Sequence, residues 1–187
     1  MADTPGLAQP KYWPSWVGIG LLHLFGWLPF PLIYALSAAL GELFYRIVPA
    51  RAHVTQVNLK LCFPELSDAE RTRMAREHFR LLVCSLLSIG TIWWSRRSRL
   101  RRVVRVRGIE HLEAAQQEGK GIILLAPHFV AMDAGGMRLS MDRKMSSMYQ
   151  THPNPVFDHF ILQARKRFDG ELFDRKAPLT RLIRSIR

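Results

Sequence analysis

The pattern of apolar and polar positions divides the chain into an apolar amino-terminal stretch and a longer part where short apolar runs alternate with polar segments. From Trp16 to Gly41 no residue carries a formal charge at neutral pH. A helix of that length can cross a hydrocarbon core of about 30 Å. Pro29 and Pro31 interrupt the stretch, so the pattern predicts one kinked helix or two shorter membrane-associated pieces, Trp13–Leu28 and Leu32–Val48.

The residues flanking this stretch indicate an anchor and its orientation. Several aromatic side chains suit membrane–water boundaries: Trp13, Trp16, Trp27, Tyr34 and Tyr45. Few charges lie upstream (Asp3, Lys11), whereas basic residues follow, beginning with Arg46, Arg51 and Lys60. The positive-inside rule then places the body of the chain in the cytoplasm. We therefore predict an anchor over residues 1–50 and a second domain over residues 51–187, with a buried hairpin of a soluble protein as the alternative.

Beyond the anchor, the first strong local signal is a helix start. The pattern gives a connector over Ala50–Leu66, and Ser67-Asp68-Ala69-Glu70 then has the form of a capping box. The following helix has an apolar face that includes Met74, Phe79, Leu82, Val83, Leu86 and Leu87. It becomes more apolar towards Trp93-Trp94.

The remainder alternates between predicted strands and helices. Strands are predicted at Val103–Arg107, Gly121–Ala126 and Lys144–Tyr149, and helices at Ile109–Gln117, Val130–Ser140, Asn154–Phe168 and Pro178–Arg187. Alternation with short links predicts an α/β fold whose mixed, mostly parallel sheet is flanked by helices. Ligands of such sheets bind beyond the carboxyl ends of the strands.

The charge balance points to acidic partners. The net charge is +12, and the densest basic stretch contains Arg96, Arg97, Arg99, Arg101, Arg102, Arg105 and Arg107. Nucleic acid, an anionic membrane and an acidic carrier protein are candidates, although a solvated charged face is an ordinary alternative. Nucleic acid is disfavoured because no known binding motif accompanies the arginines. Cys62 and Cys84 form no metal or disulfide motif.

The most informative motif is His128-Phe129-Val130-Ala131-Met132-Asp133, directly after the apolar run and Pro127. An imidazole at the end of a strand, with a carboxylate about one helical turn on, is typical of an oriented general base. The bare pattern also fits a histidine that caps a strand and an aspartate in the first turn of a helix, where the macrodipole favours negative charge.

With the motif in place, the chain resembles the bacterial late acyltransferases of lipid A biosynthesis, the lauroyl/myristoyl transferase family. The resemblance covers the chain from the apolar stretch onward. The matching residues are Asn58-Leu59, Cys62-Phe63-Pro64-Glu65, Gly119 to Leu125, His128-Phe129, Asp133, Tyr149, Asn154-Pro155, Arg165, Arg167 and Asp174-Arg175.

The resemblance implies a glycerol-3-phosphate acyltransferase-like fold and a reaction. An acyl chain would pass from acyl carrier protein to a hydroxyl of a lipid A precursor at the anionic inner membrane. His128 would be the general base and Asp133 would orient it. Arg165, Tyr149 and Asn154 would bind substrate, with Arg165 stabilising the oxyanion or holding a phosphate. No cofactor or metal is implied.

Two departures from the family pattern affect these expectations. Gln150 stands where many relatives have an arginine, which alters the predicted acceptor contacts. Relatives also continue beyond the position of Arg187, so we expect an incomplete sheet and little transfer by these 187 residues alone. The alternatives are an inactive truncated membrane protein and an acyltransferase for a glycerophosphate or lysophospholipid acceptor, which shares the H-x-x-x-x-D layout.

Overall fold

The computed structural model describes residues 6–168 and 170–186. This part of the chain is mostly helical and contains a small parallel sheet, which is compatible with the predicted α/β class. In chain order the elements are α1 (Trp13–Trp27), α2 (Phe30–Ile47), α3 (Pro49–Cys62), α4 (Asp68–Trp94), α5 (Arg97–Val103), α6 (Ile109–Gln117), α7 (Met132–Ser140), β1 (Met145–Tyr149), α8 (Pro155–Arg165), β2 (Gly170–Asp174) and α9 (Leu179–Ile186).

The apolar amino-terminal stretch forms two helices, which decides between the two predicted forms. Leu28 ends α1 in an extended conformation, and Pro29 precedes the first turn of α2, where a proline is compatible with a helix start. Within the described residues, α2 alone is long and apolar enough to cross a membrane by length and composition. Asp3, one of the predicted flanking charges, lies outside the described residues.

Helix α4 is the longest described element, and the predicted capping box begins it. The Ser67 side chain accepts a hydrogen bond from the Glu70 backbone N–H at 3.3 Å, and the Glu70 carboxylate accepts one from the Ser67 backbone N–H at 2.8 Å. These reciprocal bonds satisfy two amide donors that the first turn leaves unpaired. Hydrogen bonds from the Ser67 hydroxyl and from the Ser67 backbone N–H to the Glu70 carboxylate lower the pKa of Glu70.

Helices α1 and α2 pack along α4 through glycines. A Cβ built on Gly26 would lie 2.7 Å from the Gly90 carbonyl carbon, and one built on Gly41 would lie 2.5 Å from the Arg80 Cα. A Cβ on Gly90 would overlap the Leu22 carbonyl oxygen. The backbones therefore touch at these crossings, and only residues without a side chain fit there.

The second half of the chain departs from several predictions. The strand over Val103–Arg107 is wrong because Val103 ends α5 and residues 104–108 pair with no strand in the described structure. The strand over Gly121–Ala126 is wrong for the same reason, since this segment has no ladder partner among the described residues. The connector Ala50–Leu66 is wrong because α3 fills most of it, with Pro49 in its first turn.

Other elements follow the prediction closely. Strand β1 and helix α6 are confirmed, and α7 and α8 begin within two residues of the predicted starts. Strand β2 was not predicted; it pairs in parallel with β1, from Met145 opposite Gly170 to Tyr149 opposite Asp174. Helix α9 matches the last predicted helix, whose final residue Arg187 lies outside the described residues.

One apolar core joins the two halves of the chain. It contains buried side chains from α1, α4, α5, α7 and α8, among them Ile19, Ile92, Leu100, Met137 and Val156. Phe160 lies partly buried against this core, in edge-to-face contact with both Trp16 and Trp94. Burial of this surface fixes α7 and α8 relative to α4. These two helices carry Asp133 and Arg165, so the core sets the geometry of the candidate site.

Candidate functional site

The motif histidine lies on an exposed segment between α6 and α7. His128 is exposed, as are the apolar side chains before it, of which Leu125 is 97% exposed and Ile123 is 83% exposed. Two local contacts shape the end of the segment. The Phe129 N–H donates to the Pro127 carbonyl at 2.8 Å, and the Ser85 hydroxyl of α4 donates to the Val130 carbonyl at 2.6 Å. The imidazole is thus open to solvent and to a bound molecule.

Asp133 lies in the first turn of α7, where the helix dipole favours a carboxylate. Its Oδ1 atom accepts a hydrogen bond from the Arg165 guanidinium at 2.6 Å. The two side chains are partly exposed, Arg165 at 27% and Asp133 at 48%. His128 and Asp133, both described residues, are not joined by a hydrogen bond. The structure therefore brings Asp133 to Arg165, and orientation of His128 by Asp133 stays a prediction.

Tyr149 ends β1 and lies beside Arg165. The phenol is buried, and its hydroxyl donates a hydrogen bond to the Asp158 carboxylate. Burial, together with this carboxylate, raises the pKa of Tyr149 to about 12. The Arg165 guanidinium carbon lies 5.7 Å from the centre of the Tyr149 ring, within the range of a cation–π contact. The Asp133–Arg165 pair thus rests on a buried, neutral aromatic side chain.

Both polar atoms of the Asn154 side-chain amide have hydrogen-bond partners within the protein. Its Oδ1 atom accepts from the Val156 and Phe157 backbone N–H groups, which caps the start of α8. Its Nδ2 atom donates to the Ser15 hydroxyl of α1 at 2.7 Å. Asn154 therefore ties the first turn of α8 to α1, and its predicted contact with substrate stays a prediction.

The sequence did not single out Asp158 or Ser15, although both connect parts of this region. The Asp158 carboxylate accepts from the Tyr149 hydroxyl and from the His152 backbone N–H, the latter at 2.6 Å. The available signal was a carboxylate in the first turn of a helix that begins Asn-Pro, where such residues are common. Ser15 gave no signal, because its partner is 139 residues away.

The basic stretch after α4 serves the fold in part. The Arg99 guanidinium donates to the Gly26 carbonyl at 2.6 Å and the Leu28 carbonyl at 2.5 Å, which caps the end of α1. Arg101 pairs with Asp142, and Arg97 donates to the Met141 carbonyl. Arg167, another family match, donates to the Trp93 and Ser95 carbonyls at the end of α4. Arginines of the stretch that stay exposed without such a partner in the described structure are Arg96, Arg102, Arg105 and Arg107.

The residue that departs from the family pattern also has a partner. Arg175, just after β2, donates from Nη1 to the Gln150 side-chain oxygen at 2.8 Å. Its backbone N–H donates to the Tyr149 carbonyl.

Over residues 6–168 and 170–186, no group of three or more His, Cys, Asp or Glu side chains is arranged to hold a metal ion.

Comparison with known proteins decides the family. A family profile described as "Bacterial lipid A biosynthesis acyltransferase" matches residues 2–187. The chain belongs to this family. The resemblance inferred from the motifs is thereby confirmed.

Curated members of the family align along most of the chain. The lipid A biosynthesis lauroyltransferase of Escherichia coli K12 is 35% identical over 173 residues, which is 92% of this chain and 56% of the relative. The palmitoleoyltransferase of the same strain is 31% identical over 89% of the chain and 55% of the relative. Its myristoyltransferase is 29% identical over 96% and 56%. No solved structure gives a significant match.

The chain therefore spans about half the length of the curated relatives it matches. Within this half, the motif His128 to Asp133 ends in the first turn of α7, and Arg165, which pairs with Asp133, lies at the end of α8.

Proposed function

We propose that this protein transfers an acyl chain from acyl carrier protein to a hydroxyl of a lipid A precursor. The observation that carries the proposal is the family's H-x-x-x-x-D motif on an exposed segment, with Asp133 2.6 Å from Arg165. In the proposed reaction, one bond forms and one breaks at the thioester carbonyl carbon. The acceptor hydroxyl oxygen forms a bond to the thioester carbonyl carbon, the carrier thiolate leaves, and the hydroxyl proton goes to His128.

His128 acts in this proposal as the general base through a neutral imidazole nitrogen. Asp133 stabilises the imidazolium that forms, as a carboxylate does when it accepts from the other ring nitrogen. Its Oδ1 atom is bound to Arg165, but a carboxylate has about four acceptor positions, so the ion pair leaves room for an imidazole N–H. The proposed mechanism requires the exposed segment that carries His128 to bring the imidazole to Asp133.

Arg165 supplies positive charge beside the reacting groups. A guanidinium stabilises a developing oxyanion or holds a phosphate through charge-assisted hydrogen bonds. Tyr149 and Asn154 remain proposed substrate contacts. Asp158 binds Tyr149 beside Arg165. Ser15 binds Asn154 at the start of α8, the helix that carries Arg165.

The proposed location is the bacterial inner membrane, with residues 51–187 on the cytoplasmic side and a fold like that of glycerol-3-phosphate acyltransferases. The apolar helix α2, the exposed apolar side chains of α1 and the net charge of +12 support attachment to an anionic membrane. Acyl carrier protein, the proposed acyl donor, is acidic. The exposed arginines after α4 are therefore the proposed surface to which it binds.

The experiment measures acyl transfer from labelled acyl carrier protein, using the complete gene product that contains these residues. We expect His128→Ala to lower the rate by a factor of about 10²–10⁴, the usual contribution of a positioned base. His53→Ala, which removes an exposed histidine of α3, is the matched control and should leave the rate unchanged. Residues 1–187 alone are assayed in parallel, where we expect little transfer.

Each outcome bears on a separate part of the proposal. Failure of the wild-type protein to acylate a lipid A precursor overturns the reaction. Preferred acylation of a lysophospholipid or glycerol phosphate overturns the acceptor but keeps the chemistry. A near-normal rate for His128→Ala overturns the role of the base.

A further inference from the structure

Helices α1 and α2 both run along α4. Gly26 of α1 contacts Gly90, whereas Gly41 of α2 contacts Arg80, ten residues earlier in α4. The two helices therefore follow one another along α4 in the antiparallel direction, with the break at Leu28 and Pro29 between them. Both helices pack against α4, and they do not pack against each other as a hairpin.

Charged groups lie against both ends of the apolar part of α2. At its start, the Arg99 guanidinium binds the Gly26 and Leu28 carbonyls. Towards its end, Glu42 binds Arg46 at 2.9 Å and lies 3.7 Å from Arg76. Between these points, residues 30–41 extend for about 18 Å as a helix, and the two extended residues before them add about 7 Å. The total is shorter than a hydrocarbon core of about 30 Å.

Arg80 shortens the apolar length further. Its guanidinium carbon lies 3.9 Å from the centre of the Tyr34 ring, in the first half of α2. A span by α2 would take this guanidinium, or one of the groups at the two ends, into the hydrocarbon region. A charged side chain is costly in that region.

Helix α1 is held to the protein along its length. Ser15, near its start, binds Asn154 of α8 at 2.7 Å, and Trp16 contacts Phe160 of α8 with ring centres 5.6 Å apart. Gly26, near its end, contacts α4. Since α8 carries Arg165 of the candidate site, the start of α1 lies on the same side of any membrane as that site. The 15 residues of α1 would in any case extend for only about 22 Å.

The outward face of both helices is nevertheless apolar. On α1 it is spaced three or four residues apart and contains Trp13, Val17, Leu21, Leu24 and Trp27, each at least 50% exposed. On α2 it contains Leu32, Leu40, Leu43 and Ile47. These exposed side chains form one apolar stripe with tryptophans at its start and middle, while buried residues on the opposite sides of both helices pack on the protein. An apolar protein surface bordered by tryptophans suits the boundary between lipid headgroups and acyl chains.

We infer that α1 and α2 lie along one leaflet of an anionic bilayer, with neither helix crossing it, so that the residues before α1 and after α2 face the same compartment. This rests on the membrane location proposed above. The occupant of the stripe is a lipid surface because exposed basic side chains flank the stripe, including Lys11, Arg46, Arg51 and Lys60, and suit anionic headgroups.

Thiol labelling from each side of the membrane tests the inference. Cys62, exposed at the end of α3, reports the position after α2, and Ala8→Cys in a Cys62→Ser background reports the position before α1. Cys62→Ser alone reports any labelling of the buried Cys84. A membrane-impermeant maleimide is applied to intact spheroplasts and to inverted inner-membrane vesicles that contain the complete gene product.

We expect both positions to be labelled in inverted vesicles within about twofold of each other, and neither in spheroplasts until the membrane is permeabilised. Labelling at position 8 in spheroplasts, with Cys62 labelled in inverted vesicles, would overturn the inference and show a span. Release of the protein by high salt would overturn embedding of the stripe. Both readouts are independent of acyl transfer, so they do not fail merely because the proposed reaction fails.

Discussion

Two regions of the protein contain apolar runs, yet they differ in how far the structure covers them. Helices α1, α2 and α4 bury side chains where they pack together; Ile33 and Phe79, for example, are 0% and 2% exposed. The segment from Gly121 to Val130 leaves Leu125 97% exposed. A helix pairs its own backbone groups and needs only one covered face, whereas a strand needs neighbours for its backbone and for both faces. An apolar run alone is therefore not enough to predict that a segment forms a strand in a sheet.

The largest expected difference between the regions is in amide hydrogen exchange. Amides of buried α4 residues such as Ala75 and Phe79 should open only with much of the fold, since they lie in the packed region. Amides of residues 122–126 have no ladder partner in the described structure and should exchange about 10³-fold faster or more, given global stabilities of about 5–15 kcal/mol. Exchange measured by mass spectrometry in detergent micelles checks this. Equal protection of the two segments would contradict the comparison.

The next effect concerns the glycine contacts that hold the covered region together. Gly90→Ala should destabilise the protein by about 1–3 kcal/mol, because its Cβ overlaps the Leu22 carbonyl and forces α1 away from α4. Gly20→Ala is the matched control in α1, since a Cβ there meets nothing within 4 Å. It should be neutral or stabilise by about 0.5–1 kcal/mol through helix propensity.

Urea unfolding followed by far-UV circular dichroism measures both variants under the same conditions. A Gly90→Ala protein as stable as the wild type would mean that α1 and α4 do not meet at these glycines.

The smallest expected effect is on the pKa of Tyr149, a buried residue at the end of β1. Its pKa is raised to about 12 in the folded protein, above the ordinary value of 10.0. The neutral phenol is therefore favoured by folding, so this stabilisation is complete below about pH 10 and is lost as the pH rises towards 12. Asp158→Asn removes the carboxylate that disfavours phenolate, and should move the pKa of Tyr149 down towards 10.

The difference in absorbance at 295 nm between wild type and Tyr149→Phe isolates this phenol from the other tyrosines. A Tyr149 titration unaffected by Asp158→Asn would exclude the proposed contact.

Local signals predicted the helical elements well. The capping box at Ser67 and the Asn154-Pro155 start both act within one turn, and both begin helices in the structure. Helix α3 was missed because its apolar residues do not gather on one face and only Ala52 is buried. Its one clear signal was Pro49 in the first turn, which the start of a connector also explains.

Signals that depend on distant partners were less reliable. The valine-rich segment Val103–Arg107 predicted a strand, but the preceding arginines form a helix that extends to Val103 and caps α1 through Arg99. At the candidate site, the motif indicated Asp133 but not its partner. Arg165 lies 32 residues further along the chain, and packing of α7 and α8 on a common core decides that they meet.

The contact between α1 and α4 also has a consequence for synthesis of the protein. The Thr91 hydroxyl and the Gly26 carbonyl that it binds are 65 residues apart. At about 5–20 residues per second, the ribosome needs roughly 3–13 s to add that interval. During this time α1 and α2 leave the ribosome with no α4 to cover them. At the proposed membrane location, a lipid surface can receive their apolar side chains during this interval, so we expect membrane targeting to precede assembly of the α1–α4 contact.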